Sequence, residues 1–426
     1  MLEGLQDVPP AVVLLLTEVA VAPDYVSARK RLKTLLPELR RQSEVYEAES
    51  QISPRVPSAP GKFAVYMDGG LNLFDGDVGC REITCRQGAA MRLVRSIGLF
   101  ADTIWITDFI TEKFCRFGRV TNKKLDEVLT DTMVLAVLAP LIVDGIVKFR
   151  SPWIAACKPC LTAFDAKVDD IADSLLLEYG SEFALDRKAD GYSLLTGELY
   201  DPPLVLRLLQ KGGSSEPPAM KEYAQRLVRR AVRSALWTGR DAAEGRGAIL
   251  SNSKLGLAGL ARQEGRVRTG TELQMLDENR NVILPWVSDL TPSQIVQLRY
   301  EASKALPSLR ELLAKQLTAA STTDDERSAL DTINELRQQA VDVRNELENT
   351  KQHANRFWKT SYFMLGLGIS AYGVMADQVA PALGGLLPLI HLIMNHKAGT
   401  EKDIDKIERR PGYVLVRAQD ILAHED

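Results

Sequence analysis

The sequence predicts an α/β N-terminal domain of the parallel βαβ type and a mostly α-helical C-terminal half with a long heptad helix and an apolar helical hairpin. Three observations predict it. Between residues 63 and 153, short apolar runs rich in β-branched residues alternate with helix-patterned segments, the order of a parallel α/β unit. From Pro217 onward the periodicity is helical, and after Ile333 apolar residues recur three and four apart. Ser361–Met394 is then an apolar, glycine-rich stretch broken only by Asp377-Gln378 and His391.

At 426 residues, 45% hydrophobic and 26% charged, the chain has the composition of a globular protein of roughly two to three domains. A net charge of −3 argues against nucleic acid coating the whole surface, although local patches can still bind it. The segment 1–51 opens on an apolar run in which Glu3 and Asp7 stand where a signal peptide would carry basic residues, so it reads as a core helix. A second helical pattern over 22–50 has a basic face through Arg29, Lys30, Arg31 and Lys33. A Pro/Ser-rich joint at 52–61 follows.

The α/β domain is expected at 60–205. FAVYMDGG (63–70) suits a buried strand entering a tight loop, and 86–100 has helical spacing. DTIWITDF (102–109) reads as a strand, 125–145 as a helix stopped by Gly145, and 146–153 as a third strand. Residues 217–320 form an expected basic helical domain. Over 220–237, Tyr223, Leu227, Ala231 and Ala235 share one face, and Arg226, Arg229, Arg230 and Arg233 form a candidate anion-binding row on the other. Thr291 before Pro292 is a helix start signal.

Ile333, Leu336, Ala340, Val343, Leu347, Thr350, Ala354 and Phe357 make a heptad seam in a helix expected over 326–360. It leads into the hairpin at 361–396 and a charged tail at 397–426. Each hairpin limb has ~15–18 residues, against ~20 for a membrane-spanning helix. A buried core pair, an element that inserts on a trigger and a constitutive membrane hairpin are therefore all open. Glycines 366, 368, 373, 384 and 385 allow close helix approach. Arg356, Lys359, His396 and Lys397 flank the stretch and would hold both ends on one side of a membrane. Phe363, Leu365, Ile369, Leu386, Leu387, Leu389 and Ile390 are its candidate membrane- or partner-binding residues.

Candidate catalytic residues are Asp68, Asp75 and Asp77, just past the first strand, and Asp108, closing the second; Asp131 is expected to begin the long helix. Carboxylates at the carboxyl ends of parallel strands can hold Mg²⁺ for nuclease or phosphoryl-transfer chemistry. Aspartate also caps helices and makes turns, which accounts for such positions without chemistry. Cys157-Lys-Pro-Cys160 with Cys80 and Cys85 could complete a four-thiolate zinc site; the alternative is semi-buried cysteines after a strand. Few cysteines for the length suit reduced, cytosolic thiols. HExxH, GxSxG, P-loop and GxGxxG motifs are absent, and all four histidines lie at 353 or beyond.

VYMDGGLNLFD (65–75) resembles the first-strand aspartate region of metal-dependent ribonucleases of the PIN/NYN type, which would imply a nuclease using Asp68. Residues 137–160 and 284–313 resemble stretches of uncharacterised bacterial proteins associated with mobile elements and phage defence. That resemblance implies a bacterial defence or conflict component; the few cysteines and the apolar hairpin add the expectation of a cytoplasmic effector or accessory protein, peripheral to the inner membrane if the hairpin meets lipid, acting by contact rather than turnover. Its partner would be a protein, a second copy or anionic lipid ahead of nucleic acid. The alternatives are a metal-dependent nuclease or phosphotransferase and an oligomeric scaffold built on 326–360.

Overall fold

The computed structural model describes residues 5, 8–52, 64–71, 73–74, 83–95, 97–116, 118–152, 156–188, 191–200, 204–208, 219–245, 247–263, 286–319, 336–347 and 401–423. The expected hairpin, Asp75, Asp77, Cys80 and the seam positions Ile333, Thr350, Ala354 and Phe357 lie outside them. The chain forms two compact units, one of residues 1–91 and 101–273, the other of 92–100 and 274–426.

The first unit is built on a four-stranded parallel sheet. Strands β1 (Ala64–Asp68), β2 (Thr103–Thr107), β3 (Val147–Arg150) and β7 (Ala248–Ser251) stand in the order β3-β2-β1-β7. The expected parallel α/β domain is therefore present. Its first three strands are those read from the sequence, each shorter by a few residues. Val65, Met67, Ile104, Ile106, Val147, Phe149 and Leu250 are all buried, and they share one face by the alternation of side chains along a strand. Fully burying one such side chain contributes about 1.5–3 kcal/mol, which is why these runs stay extended inside the sheet.

Helices fill both faces. On the N-terminal side of the chain are α1 (Pro10–Leu14), which continues as a π turn over Leu15–Val19, and α2 (Tyr25–Ile52). The sheet connections carry α3 (Ile83–Arg95), α5 (Phe109–Cys115) and α6 (Asn122–Val143), while α4 (Ile97–Phe100), between α3 and β2 in the chain, belongs to the second unit. Thr121 caps α6 through the Lys124 amide, and Gly145 follows its end at φ 71°, where the sequence placed the stop. Asp131 lies inside α6 rather than at its start. Buried there, it pairs with Arg86 at 2.5 Å and Lys113 at 2.6 Å, joining α3, α5 and α6.

The other face, bearing Tyr66 and Ile249, is covered by α7 (Lys158–Tyr179), α8 (Met220–Glu244) and α9 (Lys254–Arg262). The same core takes Leu194 and Leu208 from an antiparallel sheet of β4 (Ala184–Lys188), β5 (Gly191–Leu195) and β6 (Val205–Leu208). Two expectations need correction here. The segment after Pro217 is not a separate helical domain, because α8 and α9 pack on this sheet and β7 pairs with β1. The α/β domain likewise contains a second, antiparallel sheet that the alternation pattern did not suggest.

In the second unit, α10 (Pro292–Glu301) carries the start signal as read. Thr291 Oγ1 accepts from the Gln294 amide, and the Gln294 side chain accepts from the Thr291 amide, a reciprocal capping box. After a turn at 302–305 the chain continues as α11 (Leu306–Ala319). Residues 336–347 are helical (α12), and the seam residues Leu336, Ala340, Val343 and Leu347 are buried within the chain. After α13 (Glu401–Glu408), α14 (Gly412–Ala423) begins against α12. A Cβ on Gly412 would stand 2.7 Å from the Gln339 carbonyl carbon, so only glycine allows the two backbones this approach. No described helix is long and apolar enough to cross a membrane.

Candidate functional site: a buried carboxylate where the strand order reverses

Strand β1 leads through α3 to β2 on one side, while β7 pairs on its other side, so the order reverses between β1 and β7. Open parallel sheets bind ligands outside the carboxyl ends of their strands at such a point. Asp68 is the last residue of β1 and stands in register with Ser251, the last of β7. Gly69 follows at φ 61°, and a Cβ there would lie 2.7 Å from the Asn252 side-chain oxygen. A side chain at 69 would displace the Asn252 amide, and the positive φ disfavours any residue but glycine there.

Asp68 is 1% exposed. Its Oδ1 accepts hydrogen bonds from Ser234 Oγ at 2.5 Å and Thr238 Oγ1 at 3.3 Å, and its Oδ2 from Ser251 Oγ at 2.9 Å. The donors follow from local structure. Ser234 and Thr238 are one turn apart on the buried face of α8, among Ala231, Ala235 and Ala242. Ser251 ends β7, and its oxygen also accepts from the Ser253 amide. Ser253 in turn caps α9 through the Gly256 amide. A Cβ at Gly256 would lie 3.4 Å from Asp68 Oδ2, so the carboxylate faces the positive end of α9 at close range.

The network continues to β3. Arg150, the last residue of that strand and buried, donates to Thr238 Oγ1 at 2.7 Å and to Asp241 Oδ2 at 2.6 Å. Thr238 thus accepts from a guanidinium and donates to a carboxylate, both roles its hydroxyl can hold at once. Burial pushes the Asp241 carboxyl above its ordinary value, against the opposing pull of Arg150. Sequence reasoning singled out Asp68 and missed Ser234, Thr238, Ser251, Arg150 and Asp241.

The other candidates are dispersed. Asp108 caps α5: its carboxylate accepts from the Thr111 amide at 2.9 Å and the Thr111 hydroxyl at 2.5 Å. Among the described residues, no group of three or more His, Cys, Asp or Glu side chains comes together to hold a metal ion. Cys85 is exposed on α3, and Cys157 and Cys160 are exposed at the start of α7, with no third described ligand beside them. Cys157 occupies the cap position of α7 with no side-chain hydrogen bond capping the helix. The nearby Cys160 amide, and then the Cys160 thiol, nonetheless hold Cys157 below the usual thiol range, while Cys160 is raised by its neighbour.

The basic row on α8 faces an acidic row on α7. Arg233 pairs with Asp165 at 2.5 Å and Arg229 with Asp169 at 2.5 Å; Gln225 donates to Asp173 at 3.2 Å. Arg226 lies over the Tyr223 ring at 4.4 Å. Arg229 and Arg233 are therefore engaged within the unit rather than presented as open anion ligands. Their side chains remain 46% and 40% exposed. Arg229→Ala or Arg233→Ala is thus expected to lower stability by no more than about 1 kcal/mol. Urea denaturation at low and high salt checks this, because high salt should shrink even that loss.

Comparison with protein-family models, curated proteins and solved structures finds no match to this chain. Fold and site together define an α/β protein in which Asp68, at the carboxyl end of an inner strand, accepts hydrogen bonds from three hydroxyl groups of its own unit.

Proposed function

We propose that this protein acts by contact with a partner rather than by turnover, as an effector or accessory component of a bacterial defence system. The observation that carries this reading is the state of Asp68. Both its oxygens are occupied by hydroxyls of the same chain, and no cluster of metal ligands stands with it among the described residues. Mg²⁺ in a hydrolytic centre takes carboxylate oxygens and keeps several waters, which calls for an open, hydrated edge. The sequence of Ser361–Met394 supports contact with a protein or with lipid, and the likeness of 137–160 and 284–313 to defence-associated proteins supports the setting.

Flotation of the full chain with anionic vesicles, beside a chain lacking 361–394, tests the contact reading. The full chain is expected to rise with the vesicles and the shortened one to remain below; equal behaviour of the two rejects lipid as the partner. A second reading, a metal-dependent nuclease or phosphotransferase, is favoured by the position of Asp68 at the strand-order reversal. Mg²⁺-dependent cleavage of RNA by the purified chain, lost in Asp68→Asn, would establish it in place of the first.

A further inference from the structure

We propose that Cys157 and Cys160 form a dithiol exchange site that reduces small-molecule disulfides and closes to an intrachain disulfide. Two observations lead there. The two sulfurs lie 3.2 Å apart and both residues are exposed, so the thiols are already neighbours and open to a dissolved disulfide. They flank the first turn of a 22-residue helix, with Lys158 and Pro159 between them, so Cys157 sits at the positive end of α7. The four-thiolate zinc reading would protect the same sulfurs, but no third ligand stands beside them among the described residues.

The exchange balances without further reactants. Cys157 thiolate attacks one sulfur of the disulfide R–S–S–R, forming a mixed disulfide at Cys157 and releasing RS⁻, which takes up a proton. The Cys160 thiolate, its proton passing to solvent, attacks the Cys157 sulfur and displaces the second RS⁻. The dithiol loses two electrons and two protons, and the disulfide becomes two thiols. Cys157 is the attacking thiol because it stands at the outer, cap position; Cys160 resolves.

The test uses the full chain, reduced, desalted and equilibrated in buffers of varied reduced-to-oxidised glutathione ratio. Acid quenching, alkylation and peptide mass analysis then follow each cysteine. Residues 157 and 160 are expected to lose both alkylation sites together as an internal disulfide, over ratios that leave exposed Cys85 alkylated. Cys160→Ser should accumulate the glutathione adduct at Cys157, and Cys157→Ser should form neither product at 160. Circular dichroism of the two variants confirms that the fold is retained. Full alkylation of both residues at every ratio overturns the proposal. So does one equivalent of zinc retained by the reduced chain and protecting both thiols, or failure of Cys160→Ser to trap the adduct.

Discussion

Replacing Asp420 by alanine is expected to destabilise the helical unit by about 3–5 kcal/mol, while Arg344→Met combined with Asp420→Leu should come close to neutral. Arg344 is 2% exposed on α12 and Asp420 is 9% exposed on α14; they pair at 2.6 Å. The guanidinium also donates to Gln419, and Asp420 is shared with Arg417, which pairs in turn with Glu301 of α10. Taking two charges out of water is costly, and their attraction roughly offsets that cost. Removing one partner leaves the other buried without its counter-charge, so the single substitution is the severe one. Urea denaturation of the wild type, Arg344→Met, Asp420→Leu and the double variant closes a thermodynamic cycle, with Asp420→Ala measured beside them. A double variant as unstable as Asp420→Ala would show that something other than the uncompensated charge sets the cost. For the same reason, aspartate at Leu336 or Val343 should unfold this unit rather than dissociate an oligomer, because both side chains are buried within one chain.

Asp68→Ala is expected to cost roughly 3 kcal/mol, since it strips the acceptor from Ser234, Thr238 and Ser251 at once; hydrogen bonds to a charged group contribute about 1.5–3 kcal/mol each, and hydroxyls that can re-aim recover part of that. Asp68→Asn keeps the shape and one acceptor oxygen and should cost about 1 kcal/mol. The sign of the asparagine variant is informative in itself. A carboxylate held for chemistry is commonly a local strain, and its neutralisation tends to stabilise the fold. A carboxylate held as an anchor for three donors should lose stability on the same change. Denaturant midpoints for both variants decide between these outcomes, and an Asp68→Asn protein more stable than the wild type would count against the anchor account.

Much of the scaffold was legible. Strands at 64–68, 103–107 and 147–150 and the helix at 220–244 follow from apolar runs and periodicity, because each buries a contiguous face. The Thr291-Pro292 start was legible because capping is a local event, settled within four residues. Strand β7 was not: four residues between two helices carry little pattern, and its partner β1 lies far away in sequence. The β4–β5 hairpin was not legible either: its strands are five residues each, and Gly191 already pairs with Lys188 as the first residue of β5 rather than standing in the turn. At the site, Asp68 was visible because a carboxylate after an apolar strand is conspicuous. Its donors were hidden among arginines, since serine and threonine inside a helix are ordinary residues there. The spacing of Ser234, Thr238 and Asp241 along the alanine-lined side of α8 is the pattern that would have exposed them. Arg344 and Asp420 could not be paired in advance, because each is a common surface residue until the chain brings α12 and α14 together.

The paired rows of α7 and α8 have a consequence for how those helices find their alignment. Contacts 165–233, 169–229 and 173–225 advance by four residues on one helix and retreat by four on the other. A slide of one turn, about 5.4 Å, would set Asp165 against Arg229, Asp169 against Gln225 and Asp173 against Lys221. Attraction between the rows is nearly preserved, so charge chooses antiparallel orientation yet tolerates more than one phase. What singles out the observed phase is shape: Phe164 meets Trp237 edge-on at 5.7 Å, a fit that a slid pair would lose.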